Sequence, residues 1–89
     1  SIPVDRYRFL NAYTQYAMGQ TTEAYFGFRA AFEGTNNVAV KEGALYYLIR
    51  ILIEVGNLEE ANRILVHLRN AFPKSAYVPL ADAVYAAAR

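Results

Sequence analysis

Residues 54–75 read EVGNLEEANRILVHLRNAFPKS. Gly56 is placed to stop one helix, and Asn57 is a good N-cap for the next. Glu60, three residues later, completes a variant of the capping box. Glu59 and Glu60 also set two negative charges against the positive end of the helix dipole. Leu58, Ala61, Leu65, Leu68 and Phe72 then recur at spacings of three and four, which predicts one buried stripe, and Pro73 ends the segment. The stretch is a helix with its start, its buried face and its stop all written into it.

The same grammar extends outward. Residues 38–55 predict a helix that buries Leu45, Leu48, Ile49 and Leu52. GTNN, residues 34–37, is a loop with Asn36 or Asn37 as a cap. Residues 22–33 predict a helix with Ala24, Phe28, Ala31 and Phe32 on its apolar face. A first helix is expected over 3–18, where proline is tolerated at the start, and Gly19 breaks it. A fifth is expected to begin near Pro79 and to run through LADAVYAAAR, residues 80–89, with Asp82 in its first turn. Apolar spacing of two, the strand signal, is weak. The links are short, so consecutive helices are expected to be antiparallel. The expected fold is all-α, a row of helical hairpins in a single domain over 1–89.

Composition limits what such a chain can do. Of its 89 residues, 55% are hydrophobic and 19% charged, which excludes a disordered segment. The net charge of +1 supplies no basic field for nucleic acid. There is no cysteine, hence no disulfide and no thiolate metal site. No apolar run is long enough to span a bilayer, so no membrane insertion is expected. The chain begins at Ser1 with no signal-peptide pattern and stops inside an alanine-rich helical pattern at Arg89, which reads as a piece of a longer protein or a processed one.

An internal repeat is present. Gly19-x4-Ala24-x3-Phe28 returns as Gly56-x4-Ala61-x3-Leu65, 37 residues on. Both glycines precede an acid–alanine pair, Glu23-Ala24 and Glu60-Ala61. The better copy reads Leu45-x2-Leu48-Ile49-x2-Leu52, then Ala61-x3-Leu65, then Pro73. This resembles the tetratricopeptide repeat, whose signature is W-x2-L-G-x2-Y, then A-x3-F, then P. The spacing matches; the aromatic and glycine identities are replaced by apolar residues. In the first copy, the 37-residue register puts Arg8, Asn11, Ala12 and Gln15 at the signature positions. A shift by one gives the more apolar Phe9-x2-Ala12-Tyr13-x2-Tyr16, at the cost of a residue missing from the turn, and the apolar stripe is the expectation taken. The pitch exceeds the usual family length by about three residues. The pitch and FPKSAYVPLADAVY, residues 72–85, are similar to the repeats of bacterial cell-envelope proteins, the Tol–Pal-associated periplasmic protein and the outer-membrane assembly lipoprotein.

The resemblance implies a short right-handed solenoid of about two and a half hairpins: repeat 1 over 3–37, repeat 2 over 38–75, and a truncated third copy or capping helix over 79–89. It implies a concave surface, lined by the first helix of each pair, that holds a protein or peptide partner. On the helix of the second copy the candidates are Tyr46, Tyr47, Arg50, Ile53 and Glu54; on the first helix they are Arg6, Phe9, Tyr13 and Tyr16. Tyrosine and arginine dominate binding hot spots, and arginine can hold a carboxylate with two hydrogen bonds. The same tyrosines could instead pack between repeats. The expected role is a non-catalytic interaction module. The alternative is a scaffold element that self-associates into a homo-oligomer. In that reading Leu80, Ala83, Val84 and Ala87 lie on the fourth helix, while Ala81, Tyr85 and Ala88 seek a neighbour. The pentatricopeptide family, which reads RNA, is disfavoured by the balanced charge.

Little else in the chain suggests chemistry. His67 is the one histidine and has no nucleophile in sequence reach of a triad. Glu54 and Arg50, four apart, suit a helix ion pair. No metal-ligand spacing, phosphate loop or carboxylate pair occurs, so no catalytic residue, metal or cofactor is expected.

Overall fold

The computed structural model describes residues 3–89, and among these residues every regular element is an α-helix. The helices are α1 (Val4–Ala17), α2 (Thr21–Glu33), α3 (Val38–Glu54), α4 (Leu58–Ala71) and α5 (Tyr77–Ala88). The chain forms two compact units, Ser1–Ala44 and Leu45–Arg89, with the division inside α3. In the first unit α1 packs on α2, and in the second α4 packs on α5.

The two glycine turns are built alike. Gly19 has φ +80° and Gly56 φ +83°, the left-handed region that a side chain disfavours. In each turn two N–H groups close back on the end of the helix. Gly19 N donates to Tyr16 O at 3.1 Å and Gln20 N to Gln15 O at 2.8 Å. Gly56 N donates to Ile53 O at 3.0 Å and Asn57 N to Leu52 O at 2.8 Å. This is the Schellman arrangement, which satisfies the last carbonyls of a helix and reverses the chain within three residues.

Because the turns are identical, the 37-residue register runs unbroken into the first helix. No residue is missing from the turn at Gly19, which corrects the shift expected from the Phe9–Tyr16 stripe. Ala12 and Ile49, 37 apart, are both fully buried, as are Ala24 and Ala61, Phe28 and Leu65, and Ala31 and Leu68. Arg8 and Asn11, polar at the places of Leu45 and Leu48, are exposed. The apolar residues beside them still pack. Phe9 meets Phe28 edge-on with ring centroids 5.5 Å apart, and Tyr16 meets the same ring at 6.4 Å. Tyr13, counted in the same stripe, stays exposed.

Small residues let α1 and α2 approach. A Cβ added at Gly27 would stand 2.8 Å from the Cβ of Ala12, closer than packed atoms come. In the second copy these two places belong to Ile49 and Ile64, which fill their space with side chains instead.

The expected stripe of α3 is buried, at 4% exposure for Leu45, 4% for Leu48, 0% for Ile49 and 5% for Leu52. Burial extends further, to Val40, Ala44, Tyr46 and Ile51, so α3 is enclosed on most of its circumference. A helix apolar all round is what this requires. On α2 and α4 the inner positions are buried, while Phe32, Leu58 and Phe72, expected inward, are half-buried at the edges. Ile64 joins the α4 core.

Asn37 and Asn57 both cap helices. The Asn37 side-chain oxygen accepts from Ala39 N at 2.9 Å and Val40 N at 3.3 Å, and that of Asn57 accepts from Glu60 N at 3.2 Å. The second half of the expected capping box does not form at residue 57. The Asn57 N–H is already given to Leu52 O, and the Glu60 carboxylate pairs with Arg63.

The last helix corrects two expectations. It begins at Tyr77, not Pro79, because Ser75 starts it: the Ser75 hydroxyl accepts from Tyr77 N at 3.1 Å, and its carbonyl accepts from Val78 N at 3.1 Å. Pro79 falls in the first turn, where its missing N–H leaves no bond unmade. The inward face also differs from the expected one. Ala81 is fully buried and Leu80 is 51% exposed, the reverse of the expected faces. Asp82 consequently lies beyond the first turn and pairs with Arg69 of α4. Both groups are largely exposed, so the pair contributes no more than about 1 kcal/mol.

A polar link ties α1 to the loop before α3. The Thr35 hydroxyl, buried at 7% exposure, donates to the Asp5 carboxylate and accepts from Asn37 N at 2.9 Å. The Thr35 bond is the main reason that Asp5 ionises below the ordinary aspartate value of 3.8; partial burial opposes it, and the Arg6 N–H and charge add to it. A carboxyl with a lowered folded value stabilises the fold above its unfolded value, and this stabilisation is lost as pH falls through the folded value. Thr35→Val should raise the Asp5 value toward 3.8 in an NMR carboxyl titration. An unmoved titration would show that Thr35 is not the cause.

Candidate functional site

In the second unit, Tyr46 is the centre of an aromatic cluster. It is 7% exposed, so it serves as a support and not as a contact surface. Its ring meets Tyr47 edge-on at 5.1 Å and 73°, and lies tilted against Tyr77 of α5 at 5.1 Å and 30°. The Arg50 guanidinium carbon is 5.8 Å from the Tyr46 ring centroid, a cation–π distance. Four residues on from Tyr46, Arg50 is one turn along the same face of α3, which is why the contact forms.

Around this support, Tyr47, Arg50 and Ile53 are half-buried and Glu54 is exposed. Their spacing places them on adjoining stripes of one helix face. The result is a band with rigid aromatic area, a guanidinium and a terminal carboxylate. Sequence reasoning missed Tyr77, because it lies between Pro73, the expected end of the fourth helix, and Pro79, the expected start of the fifth. The 37-residue register was the available signal, since it pairs Tyr77 with the buried Val40.

In the first unit, the four candidates of α1 divide. Phe9 and Tyr16 are half-buried against Phe28. Arg6 and Tyr13 are exposed beside them. Tyr7 and Leu10, not singled out from the sequence, are also exposed, at 62% and 52%. The sequence signal was blurred because apolar and aromatic residues surround α1, more than a single face can bury.

Elsewhere, Lys41 of α3 donates to Phe32 O at 3.3 Å, and its ammonium stands 4.4 Å from the Phe32 ring centroid, closing the end of α2. Arg29 lies over Tyr25 and pairs with Glu33. His67 is exposed on α4. Among the described residues no three His, Asp or Glu come together as a metal set. Among the described residues no helix is long and apolar enough to cross a membrane.

If Tyr46 and Tyr77 hold the band together, the two rings should be energetically coupled. A double-mutant cycle of Tyr46→Leu and Tyr77→Leu, followed by denaturant unfolding, should give a coupling of about 0.5–1.5 kcal/mol. Additive effects would mean that the rings act independently.

Compared with known proteins, the chain matches no family model, no curated protein and no solved structure.

Proposed function

We propose that the protein is a non-catalytic interaction module built on tetratricopeptide-like repeats, and that it holds a partner segment on the Tyr47–Arg50–Ile53–Glu54 band of α3. The observation that carries this reading is the division of labour around Tyr46. The buried Tyr46 and its neighbour Tyr77 fix the backing, while Tyr47, Arg50 and Ile53 keep part of their surface in water. Preordered aromatic and guanidinium groups bind with little loss of side-chain freedom, which is why such residues dominate hot spots. An extended or helical protein segment that carries a carboxylate suits the band. Its aliphatic and aromatic side chains would cover Tyr47 and Ile53, and its carboxylate would take the Arg50 guanidinium.

The test begins with a peptide-display selection on the purified protein, followed by titration of the tightest binder. Tyr47→Ala with Arg50→Ala should weaken binding about 10- to 100-fold, as expected for loss of hot-spot contacts, and leave helical circular dichroism unchanged. Unaltered affinity, or loss of helicity in the double variant, would contradict this assignment.

A further inference from the structure

The outer face of α1 has a self-complementary order. Tyr7, Leu10 and Tyr13 stand three apart and are 62%, 52% and 45% exposed. Val4, 64% exposed, continues the face at one end, and Met18, 67% exposed, lies just beyond the other. Arg6 and Thr14, each four residues from Leu10, lie within the face and are exposed. The Thr14 hydroxyl donates to Leu10 O at 2.9 Å, so its polar group is already satisfied within the helix.

We propose that this face pairs with the same face of a second copy of the chain, antiparallel, with the two-fold axis at Leu10. An isologous interface requires that each contact between two positions occur twice. Tyr7-x2-Leu10-x2-Tyr13 meets that condition, since an antiparallel copy centred on Leu10 brings each Tyr7 against the other copy's Tyr13 and Leu10 against Leu10. The pairing sets Arg6 beside Thr14 of the second copy, within reach of its Tyr13 ring for a cation–π contact. The two Arg6 charges then stand about 12 Å apart along the helices, eight residues at about 1.5 Å each. That exceeds the screening length of roughly 8 Å at physiological salt, so their repulsion is weak. Asp5, the one acid of α1, faces Thr35 instead. The net charge of +1 adds little opposition to association.

Area sets the strength. A fully buried aromatic side chain covers about 150–250 Å², so the exposed parts of the apolar residues amount to roughly 400 Å² per copy, and the rim brings the pair to about 1,000 Å² in total. This is the lower limit for a specific interface. A reversible dimer with a dissociation constant on the order of 10–1,000 μM follows. The face belongs to α1 alone and shares no residue with the α3 band, so failure of either proposal leaves the other standing.

Sedimentation velocity from about 10 μM to about 1 mM should show wild-type protein shifting from monomer to dimer. Leu10→Glu sets two carboxylates against each other on the axis and should weaken association at least about tenfold, with helicity kept because Leu10 is exposed. Tyr7→Lys and Tyr13→Glu should each weaken it alone, and the variant carrying both should recover dimerisation, because each lysine then faces a glutamate of the other copy. A wild-type monomer at the highest concentration, an undisturbed Leu10→Glu dimer, or no recovery in the doubly substituted chain would overturn the proposal.

Discussion

The structure depends on two glycines that turn the chain in a conformation other residues disfavour. With Gly19 and Gly56 in the left-handed region, the last carbonyls of α1 and α3 are closed by the N–H groups of the turn itself. The following helix must then start within three residues and run back along its predecessor. The rest is a consequence of register. Once the turns are equal, the same register runs through both copies, and it shows in the fully buried pairs Ala12 and Ile49, Ala24 and Ala61, and Phe28 and Leu65. Each core is then adjusted to its own side chains. The first copy brings helices together on Ala12 and Gly27 and fills the hairpin with aromatic rings; the second uses Ile49 and Ile64.

Much of this was legible in the sequence, for reasons that differ between residues. Gly56, Asn57 and the α4 stripe carry signals that act over four residues or fewer, and local signals survive the loss of tertiary context. Leu45, Leu48, Ile49 and Leu52 were readable because apolar spacing alone identifies them. Where the reading failed, two local signals competed. Pro79 is the more conspicuous helix start, yet the helix begins two residues sooner, where the Ser75 hydroxyl takes the Tyr77 N–H, and the buried residue of its first turns is Ala81 in place of Leu80. The aromatic stripe of α1 outweighed the repeat register, although the turn at Gly19 leaves no room for a shift. Gly27 was invisible to spacing, since a mid-helix glycine reads as a weakness until the closeness of Ala12 is known.

The candidate site was legible at the level of residue type and less so in arrangement. Tyrosines and an arginine on α3 were read as a contact surface. The structure separates them into a buried support, Tyr46 with Tyr77, and the half-exposed Tyr47, Arg50 and Ile53. On α1 the same kind of list divides into rings that pack on Phe28 and residues that face water. Periodicity reports which face a residue occupies; it does not report how many faces of a helix its neighbours will cover. That depends on which other helices surround it.

The central claim is that two equivalent glycine turns set this register, and amide hydrogen exchange of the free protein tests it directly. The Gln20 and Asn57 N–H groups, bonded across their turns to Gln15 O and Leu52 O at 2.8 Å each, should both be protected well above the level of open loops. Exchange of both amides at the unprotected rate of a free loop would contradict the account.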